Sequence, residues 1–157
     1  MCWQCDHPHA TIDDYLEVLR TIIADHGWAV QFVEDESRPF AYTVGLSLRG
    51  LPELLITGLQ PRKSAHVLNS VAHYIADDGM VVQPAERIDL QGELLLEVVE
   101  VDHPDVHLTF AVRLRDAPIR AFQLVWTDDR RHWPWDRGWS QGRRRQPVLG
   151  VRTPLRG

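Results

Sequence analysis

The chain carries a single lysine, Lys63, and two cysteines, Cys2 and Cys5, both near its N-terminus. Two cysteines cannot build a disulfide framework, and at 157 residues none is needed, because a chain of this length buries a sizeable core unaided. No apolar run approaches the roughly 18 residues of a membrane span. The first residues lack a basic stretch leading into an apolar one, so no secretory leader is expected and the cytoplasm is the expected location. A phosphate-cradling glycine loop, a Gly-x-Ser-x-Gly elbow, internal repeats of solenoid length and low-complexity blocks are also missing. Positive charge is short too. The net charge of −5 argues against a general nucleic-acid binder, whose affinity comes mostly from neutralising phosphates.

What is present reads as one globular domain, with 44% hydrophobic and 25% charged residues. Ile12, Tyr15, Leu16, Leu19, Ile22 and Ile23 share one stripe at helical spacing and predict an amphipathic helix over 12–26. Thr11 with Asp14 forms a capping-box pattern, and Gly27 is the natural stop. His26 falls on the same stripe and is expected to point inward. Strand-like runs follow at Trp28 to Val33, Phe40 to Leu46 and Leu54 to Thr57, punctuated by Gly and Pro, which suggests an antiparallel meander. A second amphipathic helix is predicted over 62–77, with Pro61 at its start and Leu68, Val71, Ala72 and Ile75 on its buried face. Residues 80–83, 93–101 and 122–126 read as further strands. Val106, Leu108, Phe110, Val112 and Leu114 alternate strictly, which is a strand signature.

Several blocks occur in a recognisable order: the early Cys-x-x-Cys followed by Asp-His-Pro, HGWAV at 26–30, FAYTVGL at 40–46 and PELLITGL at 52–59. They continue through AFQLVW at 121–126, HWPWD at 132–136 and QPVLG at 146–150. With them the chain resembles a bacterial family, domain of unknown function 4262. Relatives often carry a His directly before the PEL block, where this chain has Leu51. The resemblance implies a single cytosolic domain and a helix around 106–115, against the alternation noted above. It implies no reaction.

The opening cluster is the densest chemistry in the sequence. Cys-x-x-Cys suits zinc because one tight turn can aim two thiolates at one ion. Cys2, Cys5, His7 and His9 are the candidate ligands. Four ligands within eight residues would cramp a tetrahedron, so His7 is the favoured local third ligand, with His9 its alternate. A distant residue or a partner subunit would complete the site, and His26, His103, His107 and His132 are the distant candidates. A thioredoxin-like reading needs a strand before the first cysteine, and only Met1 precedes Cys2. A looser thiol–disulfide pair is the remaining redox reading.

Elsewhere the candidates compete with plainer explanations. His66, Asn69 and His73 share one face of the second helix, opposite its apolar stripe, and read foremost as a solvated polar face. Tyr42 to Leu46 would line a pocket, or Gly45 would serve a bulge or sheet crossing. Trp133, Trp135 and Trp139, interleaved with arginines, suit either a flap over the core or an interface for a protein partner or second copy. Most arginines lie at or beyond Arg115, and Arg143-Arg144-Arg145 reads as part of a solvated tail.

The expected fold is α+β: a single domain over 1–150, mainly an antiparallel sheet of about five strands with two or three packed helices, and a flexible tail over 151–157. The leading functional expectation is zinc binding through Cys2, Cys5, His7 and His9, structural or regulatory. An interaction or inhibitor module using the Trp-rich strap is the second, and a thiol redox protein the third. No catalytic residue is assigned.

Overall fold

Thr11 starts the first helix by the reciprocal bonds its sequence pattern implies. Its Oγ1 accepts from the Asp14 N–H at 3.2 Å, and Asp14 Oδ2 accepts from the Thr11 N–H at 2.8 Å. Gly27, at φ 96°, closes this helix, α1 (Ile12–His26), by donating to the Ile23 carbonyl. The computed structural model describes residues 6–35, 38–139 and 146–153. The other helices are α2 (Pro61–Ala76), α3 (Pro104–His107) and α4 (Thr109–Arg115), with a 3-10 turn at Leu46–Arg49. The strands are β1 (Ala29–Val33), β2 (Phe40–Val44), β3 (Glu53–Thr57), β4 (Arg87–Asp89), β5 (Leu95–Glu100) and β6 (Ala121–Trp126).

The six strands form one sheet in the order β1-β2-β3-β6-β5-β4. All neighbours are antiparallel except β3 and β6, which run parallel because the chain crosses over through α2 before returning. Alternate residues face opposite sides. On the front, Ala41, Leu54, Ile56, Phe122, Leu124, Leu96 and Val98 pack with Val67, Leu68, Val71, Ala72 and Ile75 of α2. On the back, Tyr42, Val44, Leu55 and Ala121 meet Leu16 and Leu19 of α1 together with Leu108 and Ala111. Further along the back, Val99 and Val125 are covered by Trp133.

This is the expected α+β single domain, with one strand more than anticipated. Two local expectations change, at residues 80–83 and at His26, and one open segment resolves to the helix the family resemblance implied. Residues 80–83 form no strand: the Met80 N–H turns back to the Tyr74 carbonyl, Pro84 follows, and only Val82 is buried. The added strand is β4, which is short and charged, as edge strands often are. The alternating stretch at 106–114 is helical. Leu108 and Ala111 sit one turn apart against the core, Val106 is exposed, and the Phe110 N–H finds an acceptor in the Tyr42 hydroxyl at 3.1 Å. His26 is exposed rather than inward, because the last turn of α1, with Ile22, lines an open groove beside Trp28 and His73.

Candidate functional sites

Cys2 and Cys5 lie outside the described residues. His7 and His9 are exposed in the turn before α1, where the Ala10 N–H donates to the His7 carbonyl. Of the distant histidines, His103 and His107 lie near enough for their charges to interact, and burial pushes the His107 imidazole below its ordinary value. Among the described residues, no group of three or more His, Cys, Asp or Glu side chains could hold a metal ion. The zinc expectation therefore draws no support from them. His132 Nδ1 stands 3.4 Å from Asp128 Oδ2, and its ring packs against Gly138, where a Cβ would come within 2.7 Å. His103 adopts φ 53° at the start of α3.

The stretch Tyr42 to Leu46 forms a cradle for Glu53, which the sequence reading did not single out. Glu53 is fully buried at the start of β3. Its Oε1 accepts from Thr43 Oγ1 at 2.8 Å and the Leu46 N–H at 3.1 Å. Its Oε2 accepts from the Gly45 N–H at 3.0 Å, the Ser47 N–H at 3.1 Å and Ser47 Oγ at 2.7 Å. Burial pushes this carboxyl up, while bonds from Ser47, Thr43 and Gly45 pull it back. Gly45 holds φ 117°, and a Cβ there would also press on Ile23 at 3.0 Å. The carboxylate thus satisfies the open N–H groups of the 3-10 turn, which is a structural task. A charged residue at an inward position of PELLIT was the available signal.

The Trp-rich strap lies on the back of β5 and β6. Trp133 is buried and stacks on Trp135 with centroids 5.4 Å apart. Arg87 lies over the first ring and Arg152 over the second. Both guanidinium groups bond Glu97, which is 1% exposed: Arg87 Nε to Oε1 at 3.3 Å, Arg152 Nε to Oε2 at 2.8 Å. Trp139 packs against Trp126, whose Nε1 donates to the Thr57 carbonyl. Trp126 is therefore a core residue at a strand end, and the rings of Trp133 and Trp139 are engaged with their own sheet. Of the tail expected from residue 151, 151–153 are described and carry Arg152; 154–157 and the Arg143 to Arg145 run lie outside the described residues.

The QPVLG block is tied down by side-chain amides. Gln146 Oε1 accepts from the Trp126 N–H, and its Nε2 donates to the Trp126 carbonyl, both at 2.8 Å. Gln123 donates to the Pro147 carbonyl and accepts from the Leu149 N–H. Gly150 bridges Val101 so closely that a Cβ would lie 1.9 Å from the Glu100 carbonyl oxygen.

Two faces of α2 remain to be placed. Asn69 accepts from Trp28 Nε1 at 2.9 Å and His73 meets the same ring edge-on, so this expected solvated face is partly a packing face. On its other side α2 faces β4 across a gap. A groove of about 620 Å³ runs between them, lined by His66, Ser70, Tyr74, Glu86, Ile88 and Glu93 among others. β4 ends the sheet, and among the described residues no strand pairs with its outer side. The Glu86 carbonyl accepts from the Val98 N–H and the Leu90 N–H donates to Leu94. By the alternation of an antiparallel ladder, the main-chain groups of Arg87 and Asp89 then face outward.

These features define a single-domain α+β protein whose buried carboxylates Glu53 and Glu97 are both engaged by internal partners. The chain belongs to the domain of unknown function 4262 family, whose profile matches residues 22–140. Cys2, Cys5, His7 and His9 fall before the matched span, and QPVLG falls after it. No curated protein and no solved structure matches the chain. Among the described residues, no helix is long and apolar enough to cross a membrane.

Proposed function

We propose that the chain is an interaction module that takes an extended peptide segment as an added strand on β4, beneath α2. One observation carries this reading: the outward main-chain groups of Arg87 and Asp89 border a groove of about 620 Å³. An extended segment gains its affinity from main-chain bonds at such an edge, and its selectivity from pockets for alternate side chains. The test is selection from a display library of random peptides on the wild type and on Ser70→Trp, which fills the groove. Enriched peptides should bind the wild type and lose binding to Ser70→Trp, with unfolding midpoints unchanged. No enrichment, or binding indifferent to Ser70→Trp, would refute the reading.

A second reading keeps zinc. It rests on four donor side chains, Cys2, Cys5, His7 and His9, within eight residues, the two histidines being exposed. Elemental analysis of protein purified without added metal, beside a Cys2→Ser/Cys5→Ser variant, decides it. Stoichiometric zinc that the variant loses supports the reading, and metal-free wild type that takes none up refutes it.

A further inference from the structure

Resting on the peptide-binding reading, we infer that the segment taken up on β4 is basic, with lysine or arginine at alternate positions. The argument is the charge around the groove. Glu86, Asp89 and Glu93 line it, against Arg87 and His66. Arg87 does not neutralise them, because its guanidinium is bonded to Glu97 and lies over Trp133 on the back of the sheet. His66 Nε2 lies 3.3 Å from Glu93 Oε2 and so spans from α2 to the β4–β5 hairpin, closing one end of the groove. Asp89 gives one oxygen to the Gly92 N–H in the hairpin turn. The floor is apolar, with Val71 buried and Ile88 half-buried. An added strand sends alternate side chains to opposite faces, so basic residues on the α2 side would meet the groove's carboxylates while the apolar ones between them turn to the other face.

Charge on an edge strand also guards against random pairing. The groove distinguishes this edge, because α2 lies over β1, β2 and β3 and leaves room above β4. A second copy docking β4 to β4 would bring Glu86, Asp89 and Glu93 of each chain towards those of the other, at a net charge of −5 each. A basic segment carries no such repulsion.

The experiment uses the full chain and fluorescein-labelled hexapeptides that alternate Val with Lys, Val with Ser, or Val with Glu, read by anisotropy. A fourth probe is the Val–Lys peptide N-methylated at alternate residues. The Val–Lys peptide should bind about tenfold more tightly than Val–Ser, and weaken between about 50 and 500 mM salt. Glu86→Gln/Glu93→Gln should erase that preference while keeping Val–Ser binding, which also shows the variant is folded. Equal binding of all three, or preference for Val–Glu, overturns the basic partner and leaves the module standing. No binding by any peptide overturns the module itself. Undiminished binding of the N-methylated probe means charge attraction without strand addition, and overturns both. A dimer that no peptide dissociates makes a second copy the occupant, and overturns the inference.

Discussion

Replacing Glu53 separates a structural carboxylate from a spare one. In Glu53→Gln the amide oxygen must face the Gly45 and Ser47 side, where three donors converge. The amide nitrogen then faces Thr43 and Leu46. The Thr43 hydroxyl can turn and accept, since it has two lone pairs and uses one on the Leu54 N–H. The Leu46 N–H cannot turn and is left unpaired, at about 1–3 kcal/mol. Glu53→Ala strands the N–H groups of Gly45, Leu46 and Ser47 together. At the same rate that is roughly 3–9 kcal/mol before any cavity is counted. Such a loss rivals a typical total stability of about 5–15 kcal/mol. The expected order is therefore wild type, then Gln lower by about 2 kcal/mol or roughly 4–8 °C, then Ala at or beyond the limit of folding. Urea unfolding followed by tryptophan fluorescence measures it, since Trp126 and Trp133 are buried reporters. An Ala variant within about 1 kcal/mol of wild type, or a Gln variant worse than Ala, would refute the accounting.

Two further substitutions probe the charges on β5. Arg87→Ala and Arg152→Ala should each cost about 1 kcal/mol, because the other arginine still holds Glu97; the double variant should cost about 3–5 kcal/mol, since a carboxylate 1% exposed is then unpartnered. Additive losses in that double-mutant cycle would show that Glu97 has another partner or reaches water. Arg120 holds the Glu100 carboxyl below its ordinary value of 4.5, so its contribution is present above that pH and lost as pH falls through the folded-state value. Both groups are well exposed, so Glu100→Gln should lower stability by less than about 1 kcal/mol at neutral pH and leave it unchanged in strong acid. A cost that persists at about pH 3 would contradict this sign.

Local chemistry was legible wherever it decided the structure locally. Thr11, Asp14 and Gly27 bound α1, and Pro61 opens α2, because caps act within one turn. AFQLVW is a strand at sheet centre, where both faces are buried and the run is correspondingly apolar. Positions decided by distant partners were not legible. Val106 to Leu114 alternates as a strand would, yet Leu108 and Ala111 also sit three apart, and packing beside Tyr42 selects the helix. β4 is Arg-Ile-Asp, with nothing apolar enough to announce a strand, and it exists because β5 supplies the ladder. Glu53 could not be placed from spacing, since its donors come from a turn six to ten residues away.

The same contrast is why we place the proposed interaction surface on β4 rather than on the conspicuous tryptophans. A Trp-rich stretch draws attention as an interface because each ring offers much apolar area. Here much of that area meets the chain's own sheet: Trp133 covers Val99 and Val125, and Trp139 packs against Trp126. The strap returns along the back of β6 and β5 held by Gln123, Gln146 and Arg152, side chains whose partners are main-chain groups or a buried carboxylate. Gly150 bridges Val101, just past β5, and among the described residues the strap does not pair with β4. With α2 above β1, β2 and β3 and the strap behind β5 and β6, no strand among the described residues takes up the outer main-chain groups of β4. Surface that the chain has already used is closed to a partner, and among the described residues the quietest strand in the sequence is the one whose edge the proposal uses.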